Sequence, residues 1–379
     1  MKIAYITTGS PYNKNSWSGT NFYVRKSLED LGHEIYCIYG APKYPFKQRV
    51  IKNIITFLKR VYLMDRSVDF SKLWSKKIEC NLQPHTDAIL SLGTIPVAFL
   101  NTDIPIFIYV DGIFNQMRVL YKWENIVESN IKEANLIEQS AIDRCTKIIS
   151  CSLETTKAIE HFYRISKEKI ATIPLGANWD VDPSEEEVSK YIQNRNKNVC
   201  KILFCGIEWE RKGADIVMEA VECLYKKGLD VELHLCGLNE IPIDLPDYVI
   251  NHGFISKSTP EGLNKLKELF STSHFLFVPS RAEAFGLVFC EANAFGVPSI
   301  SHRIGGLTTI VEDGVNGQLF NIGTSPKKFA EYIEKMFVDY SLYIELAYSS
   351  YNRYKKKFNW AVSGKLLSEL IRDNVDLDK

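Results

Sequence analysis

The stretch "SRAEAFGLVFCEANAFGVPS", residues 280–299, places Glu283 and Glu291 eight positions apart around an apolar run. It follows a buried-strand pattern, and its own pattern predicts a helix from about Gly286 to Phe295. An acidic residue at a helix N-terminus compensates the helix dipole, which accounts for Glu283. Dipole compensation gives no reason for Glu291, which would lie a turn or two inside the helix. A role for the second glutamate must therefore be sought in the rest of the chain.

Length and composition indicate a soluble globular protein. The 379 residues suggest two domains, and 45% are apolar and 24% charged, with a net charge of zero that shows no bias toward nucleic acid. The nine cysteines contain no Cys-x-x-Cys pair, so we expect reduced thiols in a cytoplasmic protein. The N-terminus turns polar after six residues, too early for a signal peptide, and no run of eighteen apolar residues suits a spanning helix.

Strand patterns alternate with helical patterns along the whole chain, which predicts βαβ units and mostly parallel sheets. In the first half the expected strands are "KIAYITTG", "HEIYCIYG", "DAILSLG", "PIFIYVDG", "KIISCS" and "KIATIPLG". In the second half they are "CKILFCGI", "DVELHLCG", "DYVINHGF" and "HFLFVPS", with helices over 214–227 and near 260–272. The fold class we predict is α/β, with two doubly wound Rossmann-like domains that face a cleft.

The domain boundaries follow from a polar interruption. Residues 177–199 are polar and charged, so we expect a first domain over 1–176, a linker over 177–199 and a second domain over 200–360. The last segment, about 361–379, has a helical pattern and is expected to pack back on the first domain. An ordinary amphipathic terminal helix is the alternative.

The chemistry of the 280–299 stretch suits an anion flanked by hydroxyl groups. Gly286 leaves the helix N-terminus open to an anion such as a diphosphate, and a carboxylate accepts two hydrogen bonds from a vicinal diol. Two carboxylates near a diphosphate need cations, and Arg211 and Lys212 follow a strand of the same domain in "GIEWERKGAD". A nucleotide sugar offers this pattern, with a diphosphate between two sets of hydroxyls. A solvated loop is the alternative for the two cations.

These motifs together resemble the retaining GT-B glycosyltransferases of family 4. The resemblance rests on the two glutamates with "EANAFGVP", the "GIEWERKGAD" loop, "GG" at 305–306, "EDGVNGQLF" at 312–320 and "WSGT" at 17–20. It implies transfer of a sugar from a nucleoside diphosphate donor, with a UDP-sugar the commonest choice, to a glycan or lipid-linked acceptor. It also implies retention of the anomeric configuration, no cofactor and no metal ion.

The resemblance assigns roles position by position. Glu283 would bond the donor-sugar hydroxyls beneath the anomeric carbon, Glu291 would bind the ribose diol, and Lys212 would bind phosphate. The residues whose backbone would face the diphosphate and the sugar are Gly19, Phe285, Gly286 and Leu287.

Two positions depart from the family pattern. Ile207 stands where the family usually carries a basic residue, and Arg211 is a candidate to supply that charge. Asp111 stands where the family often has a histidine. It is expected either to bond a donor or acceptor hydroxyl, as a catalytic group, or to cap a turn before Gly112.

A basic segment over 43–77 suggests where the protein works. It holds ten Lys or Arg and two Asp, a net charge of +8 in a neutral chain. On a helical wheel it has an apolar stripe opposite its cations; the stripe is Val50, Ile54, Phe57, Leu58, Val61 and Met64. This stripe is predicted either to pack on the N-terminal sheet or to lie on an anionic membrane, with aromatics such as Tyr44, Phe46 and Trp74 inserted.

Other functions remain as alternatives. A nucleotide-sugar epimerase or a phosphorylase has the same fold, and a binding protein without catalysis would keep it too. The Asp-x-Asp matches at 180–182 and 376–378 lie in the expected linker and tail, so we interpret both as solvated charge rather than a metal site.

Overall fold

The computed structural model describes residues 1–238 and 240–375, so the Asp-x-Asp match at 376–378 lies outside the described residues. The chain divides into two compact units. Met1–Pro174 and the segment from Ser363 form the first unit, and Leu175–Val362 form the second.

The first unit is built on a six-stranded parallel sheet. Its strands are β1 (Lys2–Thr7), β2 (Glu34–Tyr39), β3 (Ala88–Ser91), β4 (Ile106–Val110), β5 (Lys147–Ser150) and β6 (Ile170–Thr172). The strand order is β2-β1-β3-β4-β5-β6, and every neighbouring pair is parallel. Strands β3 and β4 are buried along their whole length, as expected for a parallel sheet covered on both faces.

Helices cover this sheet and connect its strands. They are α1 (Thr20–Glu29), α2 (Phe46–Phe57), α3 (Val68–Glu79), α4 (Phe114–Leu120), α5 (Glu128–Arg144) and α6 (Leu153–Phe162), with 3-10 turns at Ser16–Gly19, Met64–Arg66 and Lys167–Lys169. Helices α3 and α6 begin at serines whose hydroxyls accept a backbone hydrogen bond, which satisfies a free N–H of the first turn. Trp74 on α3 is fully buried with Phe70 in the core.

The second unit repeats the design. Its strands are β7 (Cys200–Cys205), β8 (Val231–Cys236), β9 (Val249–Asn251), β10 (Phe275–Phe277), β11 (Ser299–His302) and β12 (Gly317–Phe320). All neighbours are parallel, and the order is β12-β11-β10-β7-β8-β9. Its helices are α7 (Glu185–Asn194), α8 (Trp209–Lys212), α9 (Ala214–Lys226), α10 (Pro260–Thr272), α11 (Leu287–Asn293), α12 (Leu307–Ile310), α13 (Pro326–Val338) and α14 (Tyr340–Lys357).

The last helix, α15 (Trp360–Arg372), runs from the second unit into the first. Within the first unit, His33 Nε2 lies 2.7 Å from Ser368 Oγ. A Cβ added at Gly364 would lie 2.7 Å from Ser27 Cβ, so the helix approaches α1 closely there. Residues 363–372 of α15 therefore pack on the first unit.

The predicted fold class, two doubly wound parallel sheets, is confirmed. The ten expected strands and the helices at 214–227 and 260–272 correspond to β1–β10, α9 and α10. The segment 177–199, which we expected to be a linker, contains regular structure. It contains α7, whose Val188 and Ile192 are buried in the second unit, because its polar residues hide two apolar positions four apart.

The basic segment also differs from its expected single helix. Helix α2 ends at Phe57, and Lys59 adopts a positive φ of 55°, so Val61 and Met64 do not continue the helical stripe. Val61 instead forms an isolated bridge with Ile126. Trp74 was expected to be available for insertion and is buried, because it packs in the core of the first unit.

Candidate functional site

The candidate residues of the second unit gather at the carboxyl ends of two neighbouring strands. Strands β7 and β10 pair in the middle of the sheet. The loop after β7 leads into α8, which carries Lys212, and the loop after β10 carries Glu283. Because ligands of such sheets bind beyond the carboxyl ends of the strands, this edge is the expected place for a site.

Lys212 and Glu283 are in direct contact. The Lys212 ammonium donates a hydrogen bond to Oε2 of Glu283, and Ser280 Oγ lies 3.5 Å from the same oxygen. Only 12% of the Lys212 side chain and 11% of the Glu283 side chain are exposed. The structure thus brings together the predicted phosphate-binding cation and the predicted sugar-binding carboxylate.

Glycine is required where the backbone passes behind these two side chains. A Cβ added at Gly206, at the end of β7, would lie 2.8 Å from Cγ of Lys212. A Cβ added at Gly306 would lie 2.5 Å from the carbonyl oxygen of Ala284 and 2.6 Å from Cα of Phe285. The Gly306 N–H donates to that Ala284 oxygen at 3.0 Å. The "GG" motif at 305–306 therefore supports the loop that carries Glu283 from behind.

Arg211 ties the two loops together. Its guanidinium donates to the Ala282 carbonyl oxygen at 3.1 Å and to Oε1 of Glu208 at 2.7 Å. Its own carbonyl oxygen accepts a hydrogen bond from the Arg281 N–H at 2.7 Å. The hydrogen bond from Arg211 lowers the pKa of Glu208 below its ordinary value. The Arg211 side chain thus contacts the backbone of the loop that carries Glu283. Ile207, where the family usually has a basic residue, is exposed.

Glu291 has a partner that the sequence did not reveal. The Lys257 ammonium donates to Oε1 of Glu291 and lies 5.0 Å above the ring of Trp179. Trp179 Nε1 donates to the carbonyl oxygen of Glu291 at 3.4 Å. Trp179 lies in the segment expected to be a linker, and Lys257 lies in the loop before α10, where nothing in the pattern marked it. A buried carboxylate in need of a cation was the only available signal.

Helix α11 carries the rest of the predicted donor-binding residues. Gly286 is its N-cap with φ 99°, in the left-handed region where a side chain is unfavourable. Phe285 is buried, and Leu287 begins the helix and is partly exposed. Glu291 and Cys290 are buried on the same helix. The helix is shorter than the predicted 286–295 because Gly296 takes a positive φ soon after it.

Two thiols lie among these charges. Cys205 and Cys236 are register partners at the ends of β7 and β8. The hydrogen bond with Cys236 lowers the pKa of Cys205, and Lys257 and Lys212 act in the same direction. Burial and the Glu291 carboxylate oppose them. The charges of Lys212, Lys257 and Glu291 therefore all influence the pKa of Cys205, the last residue of β7.

The first unit holds Gly19 and Asp111. Trp17, Ser18 and Gly19 have φ values of 49°, 53° and 92°, three successive left-handed residues before α1. Trp17 Nε1 donates to Oδ2 of Asp111 at 3.1 Å, and Thr155 Oγ1 donates to the Asp111 carbonyl oxygen at 3.0 Å. The non-glycine residues in this conformation are costly, and such strain concentrates at functional loops. The unexpected element here is Trp17, which orients the Asp111 carboxylate.

Comparisons with known proteins agree with this geometry. Residues 200–339 match the family described as "Glycosyl transferases group 1". Over 210 residues the chain is 25% identical to the D-inositol 3-phosphate glycosyltransferase of Paenarthrobacter aurescens, covering 53% of this chain and 51% of that protein. It is 31% identical over 160 residues to an uncharacterized glycosyltransferase of Methanocaldococcus jannaschii, covering 42% and 44%. The chain thus spans about half the length of the curated relatives it matches.

Solved structures resemble the chain over nearly its whole length. HepE of Anabaena in complex with UDP-glucose gives a TM-score of 0.66 at 16% identity and covers 98% of this chain and 100% of that one. WaaG, a glycosyltransferase involved in lipopolysaccharide biosynthesis, gives 0.65 at 13% identity and covers 97% and 99%. These likenesses define the class of protein, one with the GT-B fold. The match over residues 200–339 agrees with the resemblance to glycosyltransferase family 4, the glycosyl transferases group 1, that the sequence motifs indicated.

Within residues 1–238 and 240–375, no helix is both long enough and apolar enough to cross a bilayer.

Proposed function

We propose that this protein is a retaining glycosyltransferase that moves a sugar from a nucleoside diphosphate donor to an acceptor hydroxyl. One observation carries the proposal. Within the segment that matches the family, two buried glutamates eight residues apart each contact a lysine at one edge of the sheet. The donor we propose is a UDP-sugar, because family 4 uses uracil nucleotides most often and HepE, which has the same fold, is known in complex with UDP-glucose.

The proposed mechanism is a front-face displacement through an oxocarbenium-like transition state. Lys212 would stabilise the charge that develops on the departing diphosphate, in a site sheltered from water. The backbone at Phe285, Gly286 and Leu287 would face the diphosphate and the sugar. Glu283 would bond the sugar hydroxyls. The acceptor hydroxyl loses its proton to the leaving phosphate, so the reaction needs no protein base and no metal ion.

Arg211 receives a supporting role in this mechanism. Its guanidinium is directed to Glu208 and to the Ala282 carbonyl oxygen, and thereby holds the loop that carries Glu283. We propose that Arg211 acts mainly through that loop. A direct contact with the diphosphate would require the guanidinium to leave these partners.

Donor identity and activity are tested together. Thermal shifts are measured with UDP-, GDP- and ADP-sugars, and the donor that stabilises the protein is then tested for nucleotide release with sugar acceptors. NMR of the anomeric proton in the product reports retention or inversion. We expect a stabilising UDP-sugar, release that depends on acceptor, and retention. Binding of the donor without release under any acceptor condition would favour a binding protein, and epimerised donor would favour an epimerase.

We also propose that the acceptor is lipid-linked and that the protein works at the cytoplasmic face of an anionic membrane. The support is helix α2, which turns an apolar face outward. Phe46, Val50, Ile54 and Phe57 follow at intervals of four, four and three residues, which places them on one face of the helix. All four are exposed, Phe46 by 81% and Phe57 by 87%.

The opposite face of α2 anchors the helix to the protein, which leaves the apolar face exposed to solvent. Gln48 is buried and donates to Ser67 Oγ at 2.5 Å, and Ile51 and Ile55 on the same side are partly buried. The expectation that the wheel's apolar stripe packs on the sheet is wrong for Val50, Ile54 and Phe57, because the helix is anchored by this other face. Exposed Lys47, Arg49 and Lys52 add positive charge to the same helix. An exposed apolar stripe with flanking cations fits an anionic lipid surface.

Liposome flotation tests this surface. The protein should float with anionic vesicles at low salt and be released as salt is raised, because each cation adds about 1 kcal/mol at such a surface. Phe46→Ser with Phe57→Ser should abolish flotation. A matched control, Val338→Ser with Ile322→Ser, removes two exposed apolar side chains of the second unit and should float as the parent does. Failure of the parent to float at every salt concentration would leave a soluble acceptor as the better proposal.

A further inference from the structure

Lys257 lies at the centre of a small cluster in the second unit that the proposed chemistry does not yet use. Its ammonium donates to Oε1 of Glu291 and lies above the ring of Trp179. Trp179 in turn donates from Nε1 to the Glu291 carbonyl oxygen at 3.4 Å. Three separate parts of the chain thus meet at one buried carboxylate: the segment before α7, the loop before α10, and α11.

The Lys257 contact compensates the charge of a buried Glu291 carboxylate. Glu291 is 5% exposed, and an ionised carboxylate in such a place is costly unless a cation and further hydrogen bonds compensate it. Within the described residues, the cation that pairs with the Glu291 carboxylate is Lys257, whose own side chain is 23% exposed. The Trp179 ring faces the same ammonium and adds a cation–π attraction.

The contact also fixes geometry. A vicinal diol is gripped best by a carboxylate whose two oxygens are held in one orientation, because each hydroxyl needs its own acceptor. Lys257 bonds Oε1, and Trp179 bonds the backbone carbonyl oxygen, so Glu291 is held both at its carboxylate and at its backbone. The second oxygen is not bound by Lys257.

We propose that Lys257 is a positioning residue that holds the Glu291 carboxylate oriented for the 2′- and 3′-hydroxyls of the donor's ribose. The inference rests on the proposed function, since it needs Glu291 to bind the ribose. Lys257 has no part in the chemical step. Its removal should weaken nucleotide binding through the diol alone, raise the KM for donor and leave kcat nearly unchanged.

The opposing possibility is that Lys257 binds a donor phosphate directly. Nucleotides that lack the ribose diol distinguish a direct phosphate contact from the positioning role. Calorimetry compares UDP with 2′,3′-dideoxy-UDP, and the ADP and GDP pairs are measured in the same way, on the parent and on Lys257→Met. We expect Lys257→Met to weaken the ordinary nucleotide about tenfold, the size of one charge-assisted hydrogen bond, and to leave the dideoxy analogue unchanged within about twofold. Equal weakening of both nucleotides would overturn the proposal and indicate a phosphate contact or a general loss of structure.

Further variants keep the test sharp. Lys257→Arg should restore most of the affinity because it keeps a cation at the carboxylate. In the Glu291→Gln background, Lys257→Met should have no additional effect if it acts through Glu291, and a full additional loss would overturn the proposal. Lys265→Met, which removes an exposed lysine paired with Glu268, is the matched control and should bind both nucleotides as the parent does.

The same series separates the two levels of inference. If Glu291→Gln weakens the ordinary nucleotide and its dideoxy analogue equally, or weakens neither, the ribose role of Glu291 is wrong, and the proposal for Lys257 falls with it. If Glu291→Gln weakens only the ordinary nucleotide and Lys257→Met weakens both nucleotides equally or neither, only the role of Lys257 is wrong. Thermal unfolding of each variant shows whether a lost affinity reflects lost folding.

Discussion

The ammonium of Lys212 and the carboxylate of Glu283 form an ion pair across two loops that follow neighbouring strands of the second unit. Each side chain is nearly buried, so each depends on the other for charge compensation. A donor diphosphate would offer Lys212 a second partner of higher charge. On the proposed function, the pair would couple donor binding to the freedom of Glu283, which would turn from the lysine to the sugar.

The first prediction concerns the two neighbouring cations. Lys212→Ala should cost about 2–4 kcal/mol of transition-state stabilisation, the size found for one preorganised donor at a developing negative charge. Arg211→Ala should cost less, because its guanidinium bonds Glu208 and a backbone carbonyl. Both are read from kcat/KM for donor turnover. Equal losses would mean that Arg211 reaches the diphosphate and replaces the charge absent at Ile207.

The second prediction separates the two glutamates. Glu291→Ala should weaken donor binding, and Glu283→Ala should mainly lower turnover, each by about 1.5–3 kcal/mol for a lost charge-assisted hydrogen bond. The binding of UDP and of the UDP-sugar is compared for each variant. Glu283→Ala should not weaken UDP binding, since UDP lacks the transferred sugar that Glu283 would hold. Parent-like binding and turnover in both variants would show that the assignment of Glu291 to the ribose and of Glu283 to the donor sugar is wrong.

Much of the fold could be predicted from the sequence, because parallel strands are continuous apolar runs and helices show a 3.6-residue period. "KILFC" and "VELHLC" are examples, and both become strands of the second sheet. Helix α7 was missed because only Val188 and Ile192 of its ten residues are buried. A helix with so small a buried face looks like a linker in composition.

The candidate site was predictable only where a motif marked it. Glu283, Glu291 and Lys212 lie in motifs, and the structure brings Lys212 to Glu283. Lys257 and Trp179 lie in segments without a motif, and only the folded chain brings them to Glu291. Contacts between residues far apart in sequence depend on the tertiary arrangement, which single-sequence periodicity does not encode.

The third prediction concerns the backbone behind Glu283. Gly306→Ala places a Cβ 2.5 Å from the Ala284 carbonyl oxygen, although the Gly306 φ of −63° suits any residue. The steric conflict should destabilise the protein by about 1–3 kcal/mol and lower donor turnover by shifting the Glu283 loop. Gly314→Ala is the control: its φ is 73°, but nothing lies within 4 Å of the added Cβ. It should lose stability by about 1 kcal/mol and keep its turnover.

The fourth prediction is a pH dependence of stability. Burial, with a smaller contribution from Arg195, lowers the pKa of His274 to about 3, and its Nδ1 accepts a hydrogen bond from the Lys201 N–H. In the unfolded chain this histidine titrates near its ordinary value of 6.5. Below that pH the unfolded state binds one proton more at His274 than the folded state does. The contribution of His274 to the free energy of unfolding therefore falls as pH decreases, with a slope that approaches about 1.4 kcal/mol per pH unit. Above that pH this contribution is constant.

Urea unfolding at several pH values measures this effect. His274→Asn keeps an acceptor for the Lys201 N–H and removes the titration, so its free energy of unfolding should depend less steeply on pH between about 6 and 4. Burial also lowers the pKa values of His234, His252 and His302, which adds a dependence of the same sign to both proteins. The difference between parent and variant isolates His274. Parallel curves would show that His274 is protonated equally in the folded and unfolded states.

The last prediction concerns the strained loop of the first unit, where Trp17 Nε1 donates to Asp111 Oδ2. If Asp111 bonds a sugar hydroxyl during transfer, Asp111→Ala should lower transfer by about 1.5–3 kcal/mol, the cost of a hydrogen bond to a charged group. Trp17→Phe keeps the aromatic ring and removes only the N–H that orients the carboxylate, so it should cause a smaller loss of transfer. Asp111→Ala should not change UDP binding, because Asp111 is assigned to a sugar hydroxyl and the residues proposed to hold the nucleotide's ribose lie in the second unit. Transfer is measured at saturating donor with the acceptor varied. If Asp111→Ala transfers as the parent does while Thr155→Val, which removes the hydroxyl that donates to the Asp111 carbonyl oxygen, lowers the melting temperature, then Asp111 serves the turn before Gly112 and not the sugar.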